Sequence, residues 1–382
     1  MRHIGVGTWV CSDRERELVN QVLDSGRLSY GPFSKKLEQE FASIHKSKYG
    51  VLSNSGTSSL QVAIQAMREL HGWKDGDEII VPAVTFVATV NAVLHNRLTP
   101  VLVDVHPLTY NIDMMKAMDA VTKKTRAIIP VHLFGQPADM SYLTMFKPQR
   151  VLVIEDACEA AFARMYNKPV GAWGDIGCFS FYVAHLLTTG VGGIAITNNP
   201  DYAAKMRSIV NHGRDGIYID IDTEASEEVI SKRFKFDTIG HSYRITELEA
   251  ALGVAQLEDW EDMIDVRRLN AEFLTESLDH LQDYIKLPSV LEDVSHSWMM
   301  YPIVVRDDTK WGLVNWLESN GVETREMLPL TNQPCYGGMI NEEDYPVAMW
   351  INESGFYIGC HQDLSQHDLN EIVAAIDEYF SN

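Results

Sequence analysis

The sequence predicts an α/β chain: a large domain with a mainly parallel, mixed sheet flanked by helices, followed by a smaller C-terminal α+β domain. Three observations carry this. Short β-rich runs, Glu78 to Pro82, Thr99 to Asp104, Ala127 to Val131 and Arg150 to Asp156, alternate with helical stretches. These runs are apolar almost throughout, as strands covered on both faces are, rather than alternating apolar and polar. From about residue 260 the alternation gives way to an α+β order, and 382 residues is a length for about two domains. The expected division is 1–255 and 256–382.

In chain order, Asp13 to Leu23 has the spacing of an amphipathic helix, and Ser25 to Pro32 is rich in turn formers. A second helix, about Phe33 to Ile44, carries Leu37, Phe41 and Ile44 on one face. Val51 to Ser59 leads into a helix whose face is Leu60, Ala63, Ile64 and Met67. After the four β-rich runs, Asn211 to Asp237 breaks the pattern with Gly-Arg-Asp-Gly and an acidic run, and reads as a solvated excursion from the core. Thr246 to Glu249 matches a capping box ahead of a helix with Leu248, Leu252, Ala255 and Leu257. Beyond it come an amphipathic helix to about Leu281, a strand near Trp298 to Val305, and a helix from Thr309 to Asn320. A last helix from Ser365 is striped by Leu369, Ile372, Val373 and Ile376.

Three stretches hold residues with chemical potential, each with a plain structural alternative. Small hydroxyl residues and Gly56 precede the third helix, where first-turn amides lack partners and the dipole is positive. That suits an anion or a simple N-cap. Asp156 ends an apolar strand, and a carboxylate there is costly unless paired, so it either meets a cation or caps a turn. His185 stands in the stretch Gly177 to Thr197, between an aromatic run and a Gly-Val-Gly-Gly turn. An imidazole in apolar company is a structural hydrogen-bonded residue or a base that titrates near neutrality.

Composition narrows the partners. A formal net charge of -21 disfavours nucleic acid or an anionic membrane as a partner, since both need a basic footprint, so an anionic substrate must meet a local positive site. The first residues begin no apolar leader and no run approaches the ~20 apolar residues of a spanning helix, which points to a cytoplasmic protein. The five cysteines are dispersed, without a C-x-x-C pair, and read as reduced structural thiols rather than a disulfide framework, zinc site or iron–sulfur cluster.

A series of ordered motifs resembles the DegT/DnrJ/EryC1/StrS family of sugar aminotransferases and dehydratases. It runs through Ser55-Gly56-Thr57, Pro82 to Phe86, Asp104 to Pro107, Pro130 to Pro137, Glu155 to Ala160, Gly174 to Tyr182, Tyr243 to Glu247 and Gln333 to Tyr336. The likeness implies a fold-type I architecture using pyridoxal 5'-phosphate or pyridoxamine 5'-phosphate. It sets Asp156 opposite the pyridine nitrogen, Gly56, Thr57 and Ser180 around the phosphate, and Phe86 against the ring. Glu159 falls beside the ring hydroxyl, where relatives often have Gln. Ser242 falls where many relatives have an Asn that reaches the partner subunit's phosphate, which implies a homodimer with its active site at the subunit interface.

His185 falls where the family's aminotransferases carry the lysine that binds the cofactor covalently. An imidazole forms no stable link of that kind but can act as a base. Within the family, histidine here marks sugar 3-dehydratases. The resemblance therefore implies loss of a hydroxyl from a nucleotide-linked 4-keto-6-deoxy sugar, with glutamate supplying the amino group, and dispersed cysteines set the chain apart from the iron–sulfur branch. A sugar aminotransferase with non-covalently held cofactor and a non-catalytic cofactor sensor are the alternatives. Glu323 to Tyr336 and Asn211 to Asp222 are the segments expected to face the substrate.

Overall fold

The computed structural model describes residues 3–214, 234–306 and 310–381, so most of the acidic excursion after Asn211 lies outside the described residues. Helices α1 (Asp13–Ser25) and α2 (Pro32–Ile44) lead to β1 (Tyr49–Ser53), α3 (Gly56–His71), β2 (Glu78–Pro82), α4 (Val87–His95), β3 (Thr99–Val103), α5 (Met114–Asp119), β4 (Thr125–Ile128) and β5 (Leu152–Asp156). A hairpin of β6 (Arg164–Met165) and β7 (Lys168–Pro169) precedes β8 (Ile176–Ser180), β9 (Gly193–Thr197) and α6 (Pro200–Val210).

Seven of these strands form one sheet in the order β1-β9-β8-β5-β4-β2-β3. Only β9 runs against the rest: it is antiparallel to β1 and β8, and the other neighbouring pairs are parallel. Successive side chains of one strand enter different cores. Val51, Cys178 and Ala195 pack with α3 and α6 on one face, and Leu52, Phe179 and Ile194 pack with α1 and α2 on the other. Both faces are dry along the strands inside the edge strand β3, which is why they read as unbroken apolar runs.

The run expected from Ala127 to Val131 is hydrogen-bonded as a strand only to Ile128. Pro130 has no N–H to continue the ladder, but its carbonyl accepts the Asp156 amide at 2.9 Å, and Val131 still pairs with Asp156 as an isolated bridge. The capping box forms as expected: Thr246 caps α7 (Glu247–Leu257), and the Glu249 carboxylate accepts the Thr246 amide at 2.6 Å.

After α8 (Trp260–Leu278) comes an antiparallel sheet in the order β10 (Ile285–Lys286), β12 (Met300–Val305), β14 (Gly355–Gly359), β13 (Thr324–Glu326), while β11 (Val294–Ser295) joins β6. Helices α9 (Lys310–Ser319), α10 (Pro346–Ser354) and α11 (Gln366–Ser381) complete it. The two sheets are tied by backbone. Ser297 donates to the Gly135 carbonyl and Met299 to the Phe134 carbonyl, both at 3.0 Å. Gly135 has φ +101, and a Cβ there would lie 2.5 Å from the Trp298 nitrogen, so this crossing requires glycine. Asp104, at the end of β3, accepts the first amides of α10 from Val347 at 3.1 Å and Ala348 at 3.0 Å.

Candidate active site

Strands β1, β5 and β8 end at one cavity of about 380 Å³, where the loop between β2 and α4 also arrives. In open α/β sheets this carboxyl edge is where ligands gather. Gly56, Thr57, Phe86, Asp156, Glu159, Ser180 and His185 all line it. Ser242 does not: it is exposed beyond the cavity, bridged to Asn211 and receiving a 3.2 Å bond from Arg244.

The β1–α3 junction makes an anion cradle. Ser55 caps α3 by accepting the Ser58 amide at 3.1 Å, which leaves the earlier amides of Gly56 and Thr57 without intrahelical partners at the cavity. A Cβ on Gly56 would lie 2.7 Å from the Ser180 Cβ and 2.8 Å from the Cys158 sulfur. The ends of β5 and β8 therefore close on α3 only because residue 56 has no side chain.

Asp156 is buried. Thr89 of α4 donates to its Oδ2 at 2.7 Å and the Cys158 amide to its Oδ1 at 3.3 Å. Because the Thr89 hydrogen goes to Asp156, Thr85, 2.8 Å away, must donate to Thr89. Burial pushes the Asp156 pKa up and these bonds resist, so the carboxylate is fixed in place yet short of a counter-charge. Its neighbour Glu155 projects to the other face, where the amides of Gly171, Trp173 and Gly174 and the ring of His132 saturate it.

Glu159 accepts the Phe134 amide at 2.9 Å. Burial, with the Asp156 charge adding to it, lifts its pKa to about 7, against that bond. Phe86 precedes α4 and stands 58% exposed at the cavity, a ring face available to a flat ligand.

His185 rides the loop between β8 and β9. The loop is closed by bonds from Phe181 to the Gly192 carbonyl and from Thr189 to the Phe181 carbonyl, both 2.9 Å. Gln256 of α7 braces it from behind, accepting the Thr188 amide at 2.8 Å and donating to the Thr188 carbonyl at 2.6 Å. The imidazole Nδ1 is buried and unbonded. Burial lowers the His185 pKa to about 4, with the carbonyls of Cys158 and Ser180 opposing, so the ring is neutral at physiological pH. Among the described residues no lysine lines the cavity, and no three His, Cys, Asp or Glu side chains are placed to hold a metal ion.

The remaining wall comes from the C-terminal sheet and its loops: Met299, Met300, Leu328 and Tyr357. Sequence reasoning missed Met299, Met300 and Tyr357, and Thr89 and Gln256 as well. Only Thr89 left a signal, the i, i+4 spacing from Thr85 at a helix start. Of the segments expected to face a substrate, Glu323 to Tyr336 reaches the cavity through Leu328, and its Tyr336 hydroxyl donates to Asn91 of α4 at 2.8 Å. The other is described only as far as Arg214.

This geometry has counterparts. A model of the DegT/DnrJ/EryC1/StrS aminotransferase family matches residues 11–377. A GDP-perosamine synthase of Caulobacter vibrioides is 33% identical over 370 residues, covering 95% of each chain. A GDP-4-keto-6-deoxy-D-mannose 3-dehydratase of Yersinia pseudotuberculosis is 30% identical over 382 residues, again 95% of each. The solved structure of the E. coli GDP-4-keto-6-deoxy-D-mannose-3-dehydratase with bound hydrated PLP superimposes with a TM-score of 0.89 at 26% identity, over 98% of this chain and all of that one.

Proposed function

The chain belongs to the DegT/DnrJ/EryC1/StrS aminotransferase family, and from that premise we propose that it removes the C3 hydroxyl of a nucleotide-linked 4-keto-6-deoxy sugar. It is a pyridoxal-phosphate-dependent enzyme of the sugar dehydratase and aminotransferase class. One observation carries the choice between those activities: the cavity presents an imidazole and, among the described residues, no lysine.

The site suits the cofactor on grounds of its own. A buried carboxylate short of a cation, an exposed ring face and a helix N-terminus that a Cβ would obstruct answer respectively to a protonated pyridine, its plane and its phosphate. In this reading the Gly56 and Thr57 amides, with the Thr57 and Ser180 hydroxyls, hold the phosphate. Phe86 covers the ring, Asp156 keeps the proton on its nitrogen, and Glu159 sits by its hydroxyl. Ser242 serves the partner subunit's phosphate in a homodimer. The bound group supplies an amine for the sugar ketone and a ring that withdraws electrons. His185, held neutral by burial, takes the proton from the aminomethyl carbon, and no covalent tether restrains the cofactor. Glutamate would restore the amine and leave as 2-oxoglutarate, an oxidation that supplies the two electrons of the deoxygenation, and each turnover would release ammonia and a 3-deoxy keto sugar.

Two steps test this. Incubation with pyridoxal phosphate and glutamate should convert the aldehyde absorbance to that of the amine. Adding a nucleotide-linked 4-keto-6-deoxy sugar should then release ammonia without forming an aminated sugar, and stable nitrogen transfer to the sugar would sink the proposal. The perosamine synthase relative supports a second reading, a sugar aminotransferase. His185→Lys separates the two: it should abolish deoxygenation under the first and raise transamination under the second.

A further inference from the structure

The wall contributed by the C-terminal sheet offers a ligand the side chains of Met299, Met300, Leu328 and Tyr357. Three are apolar, so a sugar held against this wall meets a single hydroxyl there. The Tyr357 ring is packed against Phe134, with centroids 5.7 Å apart, which restrains the ring. Among the described residues its hydroxyl oxygen has no hydrogen-bond partner, and Tyr357 lines the cavity. A largely desolvated phenol that bonds nothing in the protein is poised for a ligand atom. Arg325 stands directly across from Tyr357 in the β13–β14 register. Burial, with the Glu159 carboxylate, raises the phenol pKa against the Arg325 charge, so the hydroxyl keeps its proton at neutral pH. Tyr182, the other tyrosine of the cavity, lies 54% exposed.

Resting on the dehydratase reading, we propose that Tyr357 is a catalytic residue that donates its hydroxyl hydrogen to the C3 oxygen of the sugar as the C3–O bond breaks. The bonding pair leaves with oxygen, which takes a proton and departs as water. The count closes because His185 gains one proton from the aminomethyl carbon for each hydroxide expelled. His185 then releases that proton to solvent and Tyr357 recovers one from it.

Tyr357→Phe keeps the ring packing and removes only the hydroxyl. Wild type and variant would be loaded with pyridoxal phosphate and glutamate and offered GDP- and dTDP-linked 4-keto-6-deoxyhexoses as probes. The variant should keep its thermal midpoint, its glutamate-driven absorbance change and its binding of the probe by calorimetry, while turnover falls about 100-fold, a usual contribution of a positioned acid. Turnover within about threefold of wild type overturns the proposal. So does an equal loss in the glutamate step, which would make Tyr357 a support of the site as a whole. If wild type expels the C3 hydroxyl from neither probe, the dehydratase reading fails and this role falls with it.

Discussion

Glu159 is a carboxylate that folding holds at a cost. With a pKa near 7 in the folded chain against 4.5 outside it, the group binds its proton more tightly when buried. Below pH 4.5 both states are protonated and nothing is lost; between 4.5 and 7 the unfolded chain alone ionises, and above 7 the full penalty stands. Glu159→Gln can still accept the Phe134 amide and should stabilise the cofactor-free protein progressively across that window, by as much as about 3 kcal/mol above it, at ~1.4 kcal/mol per pKa unit. Denaturant unfolding of both proteins at pH 4.5 and pH 8 checks this, and an equal difference at the two pH values would sink it. Asp156 was legible in the sequence because it ends an apolar strand, whereas Glu159 was placed only by the family resemblance. Tyr357 was not, since nothing local distinguishes it from a sheet-core tyrosine and its place follows from how the C-terminal sheet meets the first.

At the scale of elements, the site depends on chain ends converging. Gly56 is where α3 meets β5 and β8, and Gly56→Ala puts a methyl within 2.7 Å of the Ser180 Cβ. We expect about 1–3 kcal/mol of lost stability from the overpacking, together with weaker cofactor binding, read from thermal melts with and without pyridoxal phosphate. A variant equally stabilised by the cofactor would show that the cradle tolerates the shift. Strand positions were legible because both faces are dry, and helices because their stripes are regular. Strand ends were less so, as at Pro130, where a missing N–H stops the ladder inside an apolar run. The brace from Gln256 was illegible: a glutamine on a helix announces no partner, and its contact lies 68 residues away along the chain.

At the scale of the whole molecule, the two sheets must hold their relation for Tyr357 and His185 to line one cavity. Asp104 is one fastening, capping α10 from the end of β3 while Lys116 approaches at 3.3 Å. Asp104→Ala should cost about 1–2 kcal/mol, as loss of an N-cap does. It should also raise KM for the sugar while sparing the glutamate absorbance change, and an unchanged KM would show that the fastening is redundant. Sequence order alone could announce a second region after residue 260 but not how it leans on the first. That depends on left-handed backbone at Phe134, Gly135 and Trp298, which no periodicity records. The braced loop between β8 and β9 has a consequence for how such proteins diversify. Its two ends are pinned to each other, its back is pinned to α7, and Gly192 is bridged to Ser55 beside the phosphate cradle. The side chain at position 185 is thus carried on a loop held by hydrogen bonds of other residues. The residue at position 185 can therefore be exchanged while the bonds that shape the loop stay in place, so in this scaffold the group offered to the cavity and the loop that offers it are separable.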